Sequence, residues 1–160
     1  MNKKILVFFM LLIVGQSTYT VNAAEDLKLG LGLGALYSGV GTNVALTSDN
    51  DMKYASLGCL AYSSNYGASC GVGLGWVKTG LINNDNKQGL GLYLGIVGME
   101  KEFDELLNKK RNNVYGGGIS YNYYLNGINN NGTVVGVGYL YGSGKEEKIN
   151  SVLLQVGYQF

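Results

Sequence analysis

The 160-residue chain carries 12 Lys+Arg against 11 Asp+Glu, with 26 Gly, 13 Tyr, two Cys and neither Pro nor His. A near-even charge balance leaves no electrostatic footprint for nucleic acid, and a chain without histidine lacks the commonest general base and metal ligand. The length allows one domain, and a Gly- and Tyr-rich composition without proline favours curved strands over helices.

In chain order, the first element reads as a secretion signal. Asn2, Lys3 and Lys4 form a short basic start, residues 5–14 are unbroken apolar, and Val21, Asn22 and Ala23 leave small or short residues before a cut ahead of Ala24. At about 1.5 Å rise each, residues 5–14 cover about half of a bilayer core that needs about 20 residues, so a cleaved signal over 1–23 is expected rather than an anchor. The remaining 24–160 form a single domain, and with Lys3 and Lys4 gone its charge falls from +1 to −1. Every later apolar stretch is cut by Gly, Asn or charge, so any membrane crossing would use strands.

Eight strands follow, expected over 27–37, 41–47, 53–62, 69–78, 89–98, 114–125, 133–141 and 152–160, each bounded by a polar, turn-like segment. In the first, Leu27, Leu29, Leu31 and Leu33 alternate with Lys28, Gly30, Gly32 and Gly34; in the fifth, Leu90, Leu92, Leu94 and Ile96 alternate with Gly91, Tyr93 and Gly95. The last alternates Val152, Leu154, Val156, Tyr158 and Phe160 with Leu153, Gln155, Gly157 and Gln159. The fold class expected is all-β, an eight-stranded antiparallel up-and-down transmembrane barrel.

If both termini lie in the periplasm, the aromatics of the apolar face sort by height. Tyr37, Tyr115, Tyr139 and Tyr141 fall near the outer rim, and Trp76, Tyr121, Tyr123, Tyr158 and Phe160 near the inner rim. Leu31, Val44, Leu74, Leu92, Ile119, Val137 and Leu154 are among the aliphatic residues between them, the arrangement of two aromatic girdles around a lipid-facing band.

On these features, and most specifically on the terminal strand with Tyr158 and Phe160, the mature chain resembles the small eight-stranded outer-membrane proteins of the OmpA and OmpX type. The resemblance implies a multi-pass barrel in the outer membrane of a Gram-negative bacterium, in contact with membrane lipid and lipopolysaccharide. It also implies that Val152, Leu154, Val156, Tyr158 and Phe160 act as the signal read by the barrel-assembly machinery. Members of the class serve as anchors, adhesins and surface-interaction proteins, and their shared shape does not choose among these roles.

The expected function is accordingly non-enzymatic, structural or surface-interacting, with no cofactor and no metal. Barrel enzymes of the outer membrane resemble one another in using a histidine, and the strands here hold almost no Asp or Glu to substitute for one. Two alternatives stand: a narrow channel through the Gly-rich lumen, and a soluble, lipocalin-like ligand-binding barrel with the Leu/Val/Ile face turned inward. An eight-stranded interior is normally just filled by side chains, which favours a plugged barrel over a pore.

Cys59 and Cys70 flank the turn at 63–67, and a register pairing Tyr62 with Gly67 sets them opposite each other. A cross-strand disulfide or two unreacted thiols is expected there, since no CxxC spacing supports a redox pair. In the segment 99–113, Met99, Phe103, Leu106 and Leu107 recur at helical spacing with acids early and bases late. The segment is expected to be a locally helical loop laid on the barrel rim, or a contact for a surface partner.

Overall fold

Alternation of outward aliphatics with inward Gly, Ser, Asn and Tyr closes the chain on itself. The computed structural model describes residues 26–63, 67–103, 109–145 and 148–160. The strands are β1 (Asp26–Gly34), β2 (Gly39–Ser48), β3 (Asp51–Ser63), β4 (Gly67–Thr79), β5 (Gln88–Phe103), β6 (Lys109–Tyr124), β7 (Gly132–Ser143) and β8 (Lys148–Gln159). They form a closed barrel in sequence order, every neighbouring pair antiparallel, with β1 returning to β8 through Gly30↔Gln159 to Leu33↔Val156. Around the closed ring each strand has a neighbour on both sides, so the ladder satisfies the backbone of the ring internally. The signal expected over 1–23 lies outside the described residues.

The first strand is shorter than its periodicity predicts. Gly34 adopts φ +107°, Ser38 φ +55° and Gly39 φ +105°, and between them Ala35–Tyr37 makes a 3-10 turn that swings into the barrel. Positive φ is cheap for glycine, so Gly34 and Gly39 supply the two corners. Tyr37 is therefore 0% exposed in the interior and not a member of an outer aromatic girdle. The alternation of Leu33, Ala35 and Tyr37 continues through a backbone corner that it does not encode.

The segment 99–113 also departs from expectation. β5 and β6 run on past the neighbouring strands as one ladder, with Met99↔Asn113, Lys101↔Arg111, Glu102↔Lys110 and Phe103↔Lys109 paired, so residues 99–103 and 109–113 are strand rather than helix. Met99 and Phe103 are four apart, a spacing that shares one face in a strand as it does in a helix. Leu106 and Leu107 lie outside the described residues, as does the side chain of Phe103.

Two register shifts break the regular pleat. One falls between Cys59 and Ala61, where Leu60 is extra, so that Ser63 pairs with Gly67 at the turn while Cys59 still pairs with Cys70. The other falls between Ile96 and Gly98, and turns Ile96 inward against Gly71 although its alternation with Leu94 places it outside.

The core is the lumen. Tyr37, Tyr54, Tyr93 and Tyr124 are its large side chains, with Leu36, Ile96 and Leu140 among them and Met52, Ile128 and Val134 toward the end that carries the β2–β3, β4–β5 and β6–β7 connections. At that end Tyr124 and Ile128 donate their backbone N–H to the carbonyls of Lys87 and Asn86, at 2.8 and 3.0 Å, tying two connections together.

Candidate functional site

Three surfaces carry the candidate residues: the outer wall, the closed lumen and the rim at the β5–β6 end. The outer wall is apolar on all eight strands. Leu29, Val44, Leu57, Leu74, Leu92, Ile119, Val137 and Leu154 are exposed, Leu154 at 81%, and so are the aromatics Trp76, Tyr115, Tyr139, Tyr141, Tyr158 and Phe160. Tyr121 and Tyr123 are half-buried on the same face, and the Tyr121 hydroxyl donates to Gln88 Oε1 at 3.2 Å. Tyr158 and Phe160 meet edge to face with ring centroids 4.9 Å apart.

Trp76, Tyr121, Tyr123 and Tyr158 belong to the ends of β4, β6 and β8 beside the chain terminus and Phe160 follows β8, while Tyr115, Tyr139 and Tyr141 stand farther along the wall. Between β6 and β7 the two sets come close: Ile119↔Tyr139 and Tyr121↔Val137 are adjacent same-face pairs.

The lumen is closed by tyrosine rings lying on bare backbone. A methyl at Gly32 or Gly157 would overlap the ring of Tyr37, one at Gly73 or Gly95 would overlap Tyr93, and one at Gly75 would overlap Tyr54. The in-folded turn is held from both sides, since the Leu36 N–H donates to Gln155 Oε1 at 3.0 Å and the Leu36 carbonyl accepts from Asn43 Nδ2 at 3.1 Å. Gln155 Nε2 in turn donates to Asn122 Oδ1 at 2.8 Å, and Asn122 Nδ2 to Ser120 Oγ at 2.9 Å. Nearby, the Tyr93 hydroxyl donates to the Ile96 carbonyl at 3.1 Å and accepts from Ser38 Oγ at 3.0 Å, with Ser56 Oγ 2.7 Å from Ser38. Sequence reasoning missed Leu36 and Ser38 as lumen residues; the adjacent Ser38 and Gly39, read only as a turn, were the available signal.

At the rim, Cys59 and Cys70 are joined by a disulfide across β3 and β4. Asn113 reaches from β6 to β4, donating from Nδ2 to the Cys70 carbonyl at 2.7 Å and accepting from Ser69 Oγ. Glu100 Oε1 accepts the Lys145 backbone N–H at 2.7 Å, so the extended β5–β6 hairpin leans on the β7–β8 connection. Glu100, Asn112, Asn113, Tyr115, Ser143 and Lys145 border a polar cleft of about 500 Å³ there. Among the described residues no group of three or more His, Cys, Asp or Glu side chains gathers as a metal site, and no helix is long and apolar enough to cross a membrane.

Fold and surfaces together define a closed, eight-stranded antiparallel barrel with an apolar outer wall and a filled lumen. The chain matches no protein-family model, no curated protein and no solved structure.

Proposed function

We propose that the protein is an integral outer-membrane barrel of the OmpA and OmpX type that holds the β5–β6 and β7–β8 hairpins at the cell surface for contact with a partner. One observation carries this reading: the outer wall is apolar on every strand, whereas the lumen mixes polar with apolar side chains. Leu, Val and Ile cover the outside of every strand, while Asn43, Thr47, Ser56, Ser120, Asn122 and Gln155 are buried within. In water so continuous an apolar wall would drive association; in a bilayer it is the solvated state. The lipocalin-like alternative needs the Leu/Val/Ile face inside, and the exposure of that face speaks against it. The in-folded Leu36 and Tyr37, with the Gln155 and Asn43 clamps, speak against a channel.

On this reading residues 1–23 are a cleaved signal, and Val152, Leu154, Val156, Tyr158 and Phe160 are recognised by the barrel-assembly machinery. The role is structural and non-enzymatic, with membrane lipid and lipopolysaccharide as its surroundings. The test is fractionation followed by a heat-modifiability gel. The protein is expected in the outer-membrane pellet, with a folded band that shifts on boiling; a detergent-free soluble pool whose migration boiling does not change would overturn the proposal.

A further inference from the structure

The outer wall carries a trough of about 760 Å³ that crosses the sheet from β4 to β8. Its form follows from the register. Trp76, Leu92, Ile119, Tyr139 and Val152 are consecutive cross-strand partners and make one rail. Lys78, Leu90, Tyr121 and Val137 are likewise partners and make the other. Between the rails runs the row Gly91, Ser120 and Gly138, three small inward-facing residues that leave backbone as the floor. Rails two residues apart stand about 6.7 Å from each other, and four strand intervals of about 4.8 Å give a run of about 19 Å. That run is long enough for an extended alkyl chain.

The trough is also oriented. Trp76 is three residues from the end of β4, while Tyr139 and Val152 are each seven from the corresponding ends of β7 and β8, so the slot climbs from the rim into the middle of the wall. Among the described lining residues Lys78 alone is charged. It faces Asp51 across the β3–β4 ladder, and Lys53 stands across from Trp76. Leu81, from the β4–β5 connection, closes the rim end beside Trp76.

We propose that this trough is a binding site for one phospholipid, its anionic headgroup at Lys78 and one acyl chain laid between the rails toward the bilayer centre. The inference rests on the membrane reading above and adds to it a defined lipid at a defined place. With the chain terminus in the periplasm, Lys78 lies at the level of the inner, phospholipid leaflet. A headgroup at Lys78 and a chain rising inward match the two ends of the trough in charge and height.

Trp76 is the chain's one tryptophan and lies on the rail beside Lys78, so its fluorescence reports occupancy directly. Folded protein in detergent micelles is titrated with phosphatidylglycerol brominated on the acyl chain, and separately with brominated phosphatidylcholine. The expected result is saturable quenching with a preference of about fivefold for the anionic lipid, the worth of one lysine near a membrane surface. Lys78→Glu should abolish that preference and Lys78→Arg retain it, both with unchanged heat-modifiability.

Quenching that rises without saturation and equally for both headgroups would mean annular lipid alone and would overturn the proposal. So would protection of Trp76 that tracks formation of a dimer, which would make a second copy the occupant. In vesicles made wholly of brominated lipid, Trp76 should be quenched in wild type and variants alike. Absence of quenching there would defeat the membrane reading itself, a failure distinct from loss of the site.

Discussion

Gln155, on the last strand, accepts the backbone N–H of Leu36 at 3.0 Å and so ties β8 to the turn that follows β1. Its amide also donates to Asn122, which makes it the link between the in-folded turn and the wall of β6. Gln155→Ala would leave the Leu36 N–H and the Asn122 carbonyl buried without their partner. Loss of about 1–3 kcal/mol is expected for such orphaned groups. Denaturant unfolding of the refolded variant in micelles measures it, and a wild-type midpoint would show that the clamp contributes nothing.

Gly75 and Tyr54 test the ring-on-backbone packing. A Cβ at Gly75 would run into the Tyr54 ring, so Gly75→Ala is expected to destabilise by about 1–3 kcal/mol, as overpacked cores do. Tyr54→Leu removes the obstacle. The double variant should therefore recover part of the loss, with a coupling of about 0.5–3 kcal/mol in a double-mutant cycle. Strict additivity would show that glycine is needed at position 75 for some reason other than the ring.

Much of this architecture is legible as alternation. Leu27 to Leu33, Leu90 to Leu94 and Val152 to Phe160 each assign their own faces, because a barrel wall between two different environments enforces period two along every strand. The pairing of Cys59 with Cys70 settles the phase of β3, with Ala55 and Leu57 outward. What alternation cannot show is where the backbone leaves the pleat. Tyr37 continues the pattern of Leu33 and Ala35, yet the corners at Gly34 and Gly39 carry it inside. Leu60 and the residue after Ile96 are extra by one, and a bulge leaves no mark in hydrophobicity. Of the trough, each lining residue was legible as outward or small; its continuity was not, because it depends on the register of five strands at once.

The Cys59–Cys70 bond spans a sequence separation of 11, and it closes the β3–β4 hairpin just below its turn. Cross-links over loops of this size restrict the unfolded chain by about 2–3 kcal/mol, so the paired variant Cys59→Ala with Cys70→Ala should lose stability on that scale while still reaching the membrane. Maleimide labelling in denaturant should find no reactive thiol before reduction and both after it. Two free thiols in unreduced protein would remove the disulfide from the account.

Leu154 provides the sharpest discrimination between lipid and water outside the barrel. It is 81% exposed, pairs with Val137 and sits in the middle third of β8, whereas Leu27, 68% exposed, is the second residue of β1 at the rim. A soluble barrel would accept arginine at either position with a change within about 0.5 kcal/mol, since neither side chain is buried. In a bilayer the two must differ, because arginine costs about 2–4 kcal/mol at the midplane and about 0–1 near the interface. Leu154→Arg is therefore expected to destabilise the vesicle-embedded protein by about 2–4 kcal/mol, and Leu27→Arg by less than half of that. Denaturant unfolding in phospholipid vesicles reads both. Equal and negligible effects would mean that the wall does not face lipid, and the reading of the barrel as a membrane protein would fail with them.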